Sequence, residues 1–292
     1  MSNPDCPGCG EALEAGPQLA ITTNAKQAHQ RVNEAAREQV LHDLRHENFE
    51  QLRDFINGAR PATATGGERP RLLDVDAGYG WFIRQAATYA FHGQEHRTRG
   101  ARAVAARAGV VLRDGFFPQC LEPDERFDVI SFNDSIEHFD DPAGALAVAA
   151  GRLRPGGVLA LNLPDAQGAL YRLARLLRRL GVSGPFDRMW QVGMPSPHRH
   201  YFNRGNLWRL AGQLGLETVA VDALQSLRLK GLYARIAYAR PGAVVTSGLL
   251  WLGMLPLLAA LRWLHGDIMV LVLRPGQPAR NAADSGDGAL AG

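Results

Sequence analysis

The chain has 292 residues, 46% of them hydrophobic and 21% charged, with a formal net charge of +3 and a pI near 8.9. That length can hold one large α/β domain with extensions and by itself would also allow two domains, and the composition is that of an ordinary folded protein. The charge is too mild to point to nucleic acid, and 3 cysteines are too few for a disulfide framework, so a reducing cytoplasm is the expected setting.

Residues 1–24 read as a flexible lead. They open SNPDCPGCGEALEAG, polar and without the apolar core of a secretory leader. Cys6 and Cys9 make half of a zinc knuckle, but a closed structural site needs four ligands and only Cys120 remains, so no metal is expected there. Residues 25–60 read as a helical extension: Val32, Val40, Leu41, Leu44, Phe49, Leu52, Phe55 and Ile56 recur at helical spacing among charges. Asn57-Gly58 reads as its stop, and 61–70, PATATGGERP, as a turn-rich linker.

At 71–80, RLLDVDAGYG, a short apolar run closes in the glycines Gly78 and Gly80. This is the pattern of a buried strand bending sharply into a helix, here Trp81 to Ala90. Glycine at such a turn lets a ligand approach the main chain, and the helix N-terminus offers N–H groups to an anion. Onward, strands are expected near 71–75, 90–94, 109–112, 127–132, 157–163, 216–222 and 268–274, alternating with helices. That alternation argues a parallel sheet covered on both faces. Within 168–181, Leu170, Leu173, Leu177 and Leu180 share one helical face opposite Arg172, Arg175 and Arg179. Residues 243–261 carry no charge, which by length alone reaches a membrane span, although Pro256 interrupts it. Residues 277–292, rich in Gly, Ala and Asp, read as a disordered tail.

The order RLLDVDAGYG, FDVISFNDSIEHFDDP (127–142) and LRPGGVLALNLPD (153–165) resembles the class I S-adenosylmethionine-dependent methyltransferases, particularly their bacterial small-molecule branch. The resemblance covers roughly residues 70–222 and resumes at the final strand. It implies an α/β fold: a Rossmann-like, doubly wound, seven-stranded sheet with an antiparallel last strand. The domain would span 70–276, with insertions at 166–200 and 223–266, the second being the apolar one. It also implies S-adenosyl-L-methionine as cofactor and a small-molecule acceptor, with no nucleic-acid partner. The oligomeric state is not assigned.

The resemblance also implies site residues at the strand tips. Asp74 matches the acid of the first motif, and Gly78 and Gly80 its glycines. Asp76 stands where the family usually carries glycine, and its carboxylate would crowd the cofactor's own. Glu95, after the second strand, matches the ribose-binding acid. Asp114, Gly115 and Phe116 match the adenine-facing turn. Asn133 and Asp134 open the fourth tip, followed by the Glu137-His138 pair. His138 is a candidate general base because its ordinary pKa lies near neutrality, and His198, four residues ahead of Phe202, is a second candidate. His198 and His200 find no carboxylate or cysteine at useful spacing, so no catalytic metal is expected. DIMVLVLRP (267–275) resembles the returning last strand, so 243–264 is expected to be a hairpin or interfacial helix on one side of a bilayer or over the pocket. The competing class is a degenerate methyltransferase fold acting as a binding or assembly protein at a membrane. A nicotinamide oxidoreductase is disfavoured because GxGxxG is lacking.

Overall fold

The computed structural model describes residues 34–60, 70–77, 82–83, 86, 90–94, 112–113, 115–193, 196–239, 242–261 and 266–276. Seven strands form one sheet in the order β3-β2-β1-β4-β5-β7-β6. They are β1 (Arg71–Val75), β2 (Ala90–Gln94), β3 (Leu112–Arg113), β4 (Phe127–Asn133), β5 (Leu153–Pro164), β6 (Leu216–Leu224) and β7 (Ile268–Pro275). β1 to β5 pair in parallel, while β7 lies antiparallel between β5 and β6.

The central strands are apolar on both sides because both faces of the sheet are covered. Leu73, Val75, Ile130 and Phe132 enter one core layer, and Leu72 and Val129 enter the other. Each such buried side chain stabilises the fold by about 1.5–3 kcal/mol.

β5 begins at Leu153, earlier than the apolar run at 157 suggests. Its first residues pair with Phe127, and the register shifts between Phe127 and Val129. The Pro-Gly-Gly sequence fits this irregularity. Gly156 has φ +77, and a Cβ on Gly157 would meet the Arg154 carbonyl at 2.9 Å and that of Asp128 at 3.1 Å.

Helix α1 (Glu34–Ala59) runs through Gly58, so Asn57-Gly58 does not stop it. Leu52 and Ile56 are buried in the second core layer, and that packing outweighs the weak local signal. The helix is also tied to the chain after β6: Asn48 Nδ2 donates to the Gln225 carbonyl at 3.1 Å, and Arg228 pairs with Glu47 at 2.7 Å. Helix α2 (Pro142–Gly151) starts at Asp141, whose carboxylate accepts from the Gly144 N–H.

The 166–200 insertion forms α3 (Ala169–Arg179) and α4 (Gly184–Met189). The Asp267 carboxylate accepts from the Leu170 N–H at 2.8 Å, fastening the start of α3 beside β7. α3 buries Tyr171 and Ala174, whereas Leu173 and Leu180 of the leucine face are exposed. Helix α5 (Arg204–Gln213) follows with a reciprocal Asn203–Asn206 capping box. α6 (Leu232–Ala239) and α7 (Val244–Leu261) fill the apolar insertion and pack on each other. Among the described residues no helix is long and apolar enough to cross a membrane.

Candidate active site

The chain steps outward from β1 through β2 to β3, then returns to β4 on the other side of β1. This reversal opens a crevice at the carboxyl ends of β1 and β4, where open α/β sheets take their ligands. Val75 pairs with Phe132, so the two loops leave the sheet side by side.

At the first tip Asp74 is buried and accepts from Ser131 Oγ on β4 at 2.6 Å. Burial pushes its carboxyl up to about 7; the Ser131 hydrogen bond opposes the shift and the Asp76 charge adds to it. Asp76 is exposed, with φ +61. That left-handed conformation explains why glycine is usual at the position and why aspartate, which tolerates it better than most residues, can replace it.

At the tip of β4 Asp134 also takes a positive φ, +52, and its N–H donates to the Asn162 carbonyl at 2.8 Å. Asn162 Nδ2 donates to Asn133 Oδ1, linking the ends of β4 and β5. A 3-10 turn, Ile136–His138, then turns Glu137 inward and leaves His138 half-buried.

The segment 196–200 folds over this turn. The N–H groups of Arg199 and His200 both donate to the Glu137 carbonyl, at 2.9 and 3.1 Å. His138 Nδ1 lies 3.0 Å from the Pro197 carbonyl, so Nδ1–H donates there. The rings of His138 and His198 are 4.8 Å apart, and His198 Nε2 lies 3.9 Å from the Glu137 carboxylate. The Gln191 amide meets the same Nε2 at 2.9 Å. Behind His198, Tyr201 is 5.5 Å away, stacked against Tyr171 and Trp190 in an aromatic cluster with Phe186.

Burial raises the Glu137 carboxyl well above its ordinary range, and the charges of Asp134 and Asp76 push it further. Burial lowers His198 to about 3, helped by the charge of His138. His200 is lowered too, chiefly by burial.

The structure thus brings Asp74, Asp76, Asn133, Asp134, His138 and His198 to one end of the sheet. Gly115, with φ +114, and exposed Phe116 follow β3. Gly78, Gly80, Glu95 and Asp114 lie outside the described residues, as do Cys6 and Cys9. Sequence spacing finds no carboxylate for His198, but the fold supplies Glu137 from the distant β4 loop. His200 is not part of that group; its ring packs against Phe202. Ser131, Gln191 and Tyr201 carry no motif and emerge only from the structure. A cavity of about 720 Å³ between α5 and the start of β6 is lined by Trp208, Gln213 and Glu217. It opens near the Leu216–Pro275 pair, at the opposite end of the sheet from these residues.

The sequence matches the family described as "Methyltransferase domain" over residues 44–221, and the chain belongs to that family. A SAM-dependent methyltransferase from Thermotoga maritima, a possible histamine N-methyltransferase, superposes with a TM-score of 0.52 at 17% identity, covering 84% of this chain and 95% of that one. A putative sarcosine dimethylglycine methyltransferase from Galdieria sulphuraria gives 0.51 at 16%, covering 79% and 86%. A putative methyltransferase from Bacillus halodurans gives 0.51 at 13%, covering 79% and 100%. No curated protein matches the sequence.

The protein is a class I S-adenosylmethionine-dependent methyltransferase, and S-adenosylmethionine is its cofactor. The described residues fit that group. A buried carboxylate with a raised pKa is stabilised by a nearby cation, and the methionine part of the cofactor carries an ammonium.

Proposed function

We propose that the protein methylates an oxygen of a small organic acceptor. The reading rests chiefly on the group of proton acceptors, Glu137, His138 and His198, next to the cofactor crevice. S-adenosylmethionine, when bound, supplies a methyl group on a positively charged sulfur, ready for in-line displacement. A hydroxyl attacks well only as it loses its proton, and a base whose pKa lies near working pH serves that need. Burial makes the Glu137 carboxylate more basic than one in water, whereas it holds His198 down at about 3. Half-buried His138 offers the proton a way to solvent, and His198 orients the group. The aromatic cluster of Tyr171, Phe186, Trp190 and Tyr201 gives a planar or apolar acceptor a wall to pack against. Asp74 and the Gly78–Gly80 loop hold the methionine part, Glu95 the ribose, and Asp114, Gly115 and Phe116 the adenine.

The test is a panel of hydroxylated small molecules incubated with the purified protein and S-adenosylmethionine, with product detected by mass spectrometry. Once an acceptor is found, Glu137→Gln and His138→Ala should each lower kcat by about 10²-fold or more while calorimetry shows unchanged cofactor binding. Unimpaired turnover in both variants would remove these residues from proton transfer.

A second, separate observation favours contact with an anionic bilayer surface. On α7, Val244, Val245, Leu249 and Leu252 are each more than half exposed. α3 exposes Leu173, Leu176 and Leu180 and carries Arg172, Arg175, Arg178 and Arg179 with no acidic residue. Apolar side chains beside cations are the chemistry that a negatively charged lipid surface recognises.

A further inference from the structure

We propose that Glu137, His138 and His198 form a binding site for one divalent first-row transition-metal ion. One ligand atom from each residue falls within 4.8 Å of the others. Glu137 is only 1% exposed, and among the described residues neither carboxylate oxygen meets a hydrogen-bond donor from another residue. A carboxylate taken out of water is expected to be hydrogen-bonded, paired or metal-bound.

One of the two imidazoles is held for the same role. His138 gives its Nδ1 proton to the Pro197 carbonyl, which leaves Nε2 as the ring's lone pair. A metal-bound histidine is generally held in this way through its other nitrogen. His198 presents Nε2 toward Glu137 at 3.9 Å, and His138 is its ring neighbour. The Glu137 main chain holds the covering segment in place by accepting from Arg199 and His200. Ligands to one ion are therefore drawn from two loops that already bind each other.

The donor set selects the metal. Two imidazoles and one carboxylate suit zinc and its first-row neighbours, whereas magnesium and calcium favour all-oxygen shells. A tetrahedral ion with bonds near 2.1 Å sets its ligands about 3.4 Å apart, so the three side chains must close by about an ångström. The Gln191 side-chain amide nitrogen donates to His198 Nε2 at 2.9 Å. Entry of a cation displaces that amide, and rotation about its last bond offers the carbonyl oxygen as a fourth ligand. An acceptor hydroxyl that displaces this amide oxygen is held on the ion and loses its proton more readily. The inference rests on the oxygen-methylation reading and changes one part of it: with the ion bound, the metal takes over from Glu137 and His138 the task of drawing the proton off the hydroxyl.

The experiment uses the untagged full-length chain carrying Cys6→Ser and Cys9→Ser, which removes the CxxC pair as a competing ligand. After chelation and dialysis it is titrated with cobalt(II), followed by its visible absorption, and with zinc by calorimetry. S-adenosylmethionine binding is measured on the same samples. One ion per chain is expected, with affinity weakened more than about 100-fold by Glu137→Gln and by His198→Ala, beyond the usual effect of an outer-shell change. His138→Ala, at a half-buried position, provides the same test should either buried variant fail to fold. Failure to bind one ion, or affinity unchanged in the variants, overturns the metal site. Loss of cofactor binding is a separate result that bears on the methyltransferase reading alone.

Discussion

Asp76 and Asp74 stand two residues apart at the tip of β1, and they respond to opposite changes. Asp76 pays for its φ of +61 with backbone strain. Glycine removes that strain, about 1 kcal/mol, but adds a similar entropy to the unfolded chain. Asp76→Gly should therefore leave the melting temperature nearly unchanged and strengthen S-adenosylmethionine binding in calorimetry by removing a carboxylate near the cofactor's own. Equal affinity would show that the exposed carboxylate is already screened by solvent. Asp74 has a folded pKa of about 7 against an ordinary 3.8. Between those values the folded protein keeps a proton that the unfolded chain has released. Stability of the cofactor-free protein should then fall as pH rises through this window, and the full penalty should be present above it. Asp74→Asn should flatten the slope and raise the melting temperature at pH 8; an unchanged slope would assign it to another group. Asp74, Asp134 and His138 are legible in sequence because each sits in a motif at a strand tip. The burial of Glu137 beside His198 is not, since the segment 196–200 that covers it comes from a distant part of the chain.

Elements were legible wherever an apolar run was self-contained, as in β1, β4 and β7. They were less so where two distant segments set a boundary. The start of β5 depends on pairing with Phe127 at the start of β4, and the continuation of α1 past Gly58 depends on Leu52 and Ile56 reaching the sheet. The leucine spacing of α3 suggests a buried face, yet Asp267 fixes its first turn and Phe186 and Trp190 pack on Tyr171 and Ala174 instead. Arg178 completes that side by lying over Phe186 at 4.4 Å. The β5 boundary yields a direct test. Gly157→Ala drives a methyl into three backbone carbonyls, those of Arg154, Asp128 and Phe127, that cannot rotate away, and should cost about 1–3 kcal/mol in chemical denaturation. Gly151→Ala at the end of α2 meets nothing within 4 Å and should gain up to about 1 kcal/mol. Similar effects at both glycines would mean that the Gly157 contacts relax freely.

At the scale of the whole molecule, β7 constrains what the apolar insertion can do. It lies between β5 and β6, so the chain must return to the sheet immediately after α7. A single crossing by α7 would leave β7 on the wrong side of the bilayer from its two partners. Contact along one surface leaves the sheet intact and still covers Val244, Val245, Leu249 and Leu252. Charge and apolar contact make separable contributions to such binding. Each arginine near an anionic surface is worth about 1 kcal/mol and is weakened by salt, while burial of the leucines and valines is much less salt-sensitive. Flotation with vesicles containing phosphatidylserine should recover the protein at low salt, and neutral phosphatidylcholine vesicles should recover less. Val245→Asp combined with Leu249→Asp should reduce binding at every salt concentration. Arg172→Gln combined with Arg179→Gln should reduce it mainly at low salt. Equal recovery on both vesicle types would remove the role of the arginines, and no recovery on either would remove the membrane surface as a partner. Protease digestion of protein reconstituted with vesicles separates surface contact from spanning. Cleavage of both chain ends is expected; protection of the C-terminal end alone would mean that α7 spans and that β7 does not remain with its sheet.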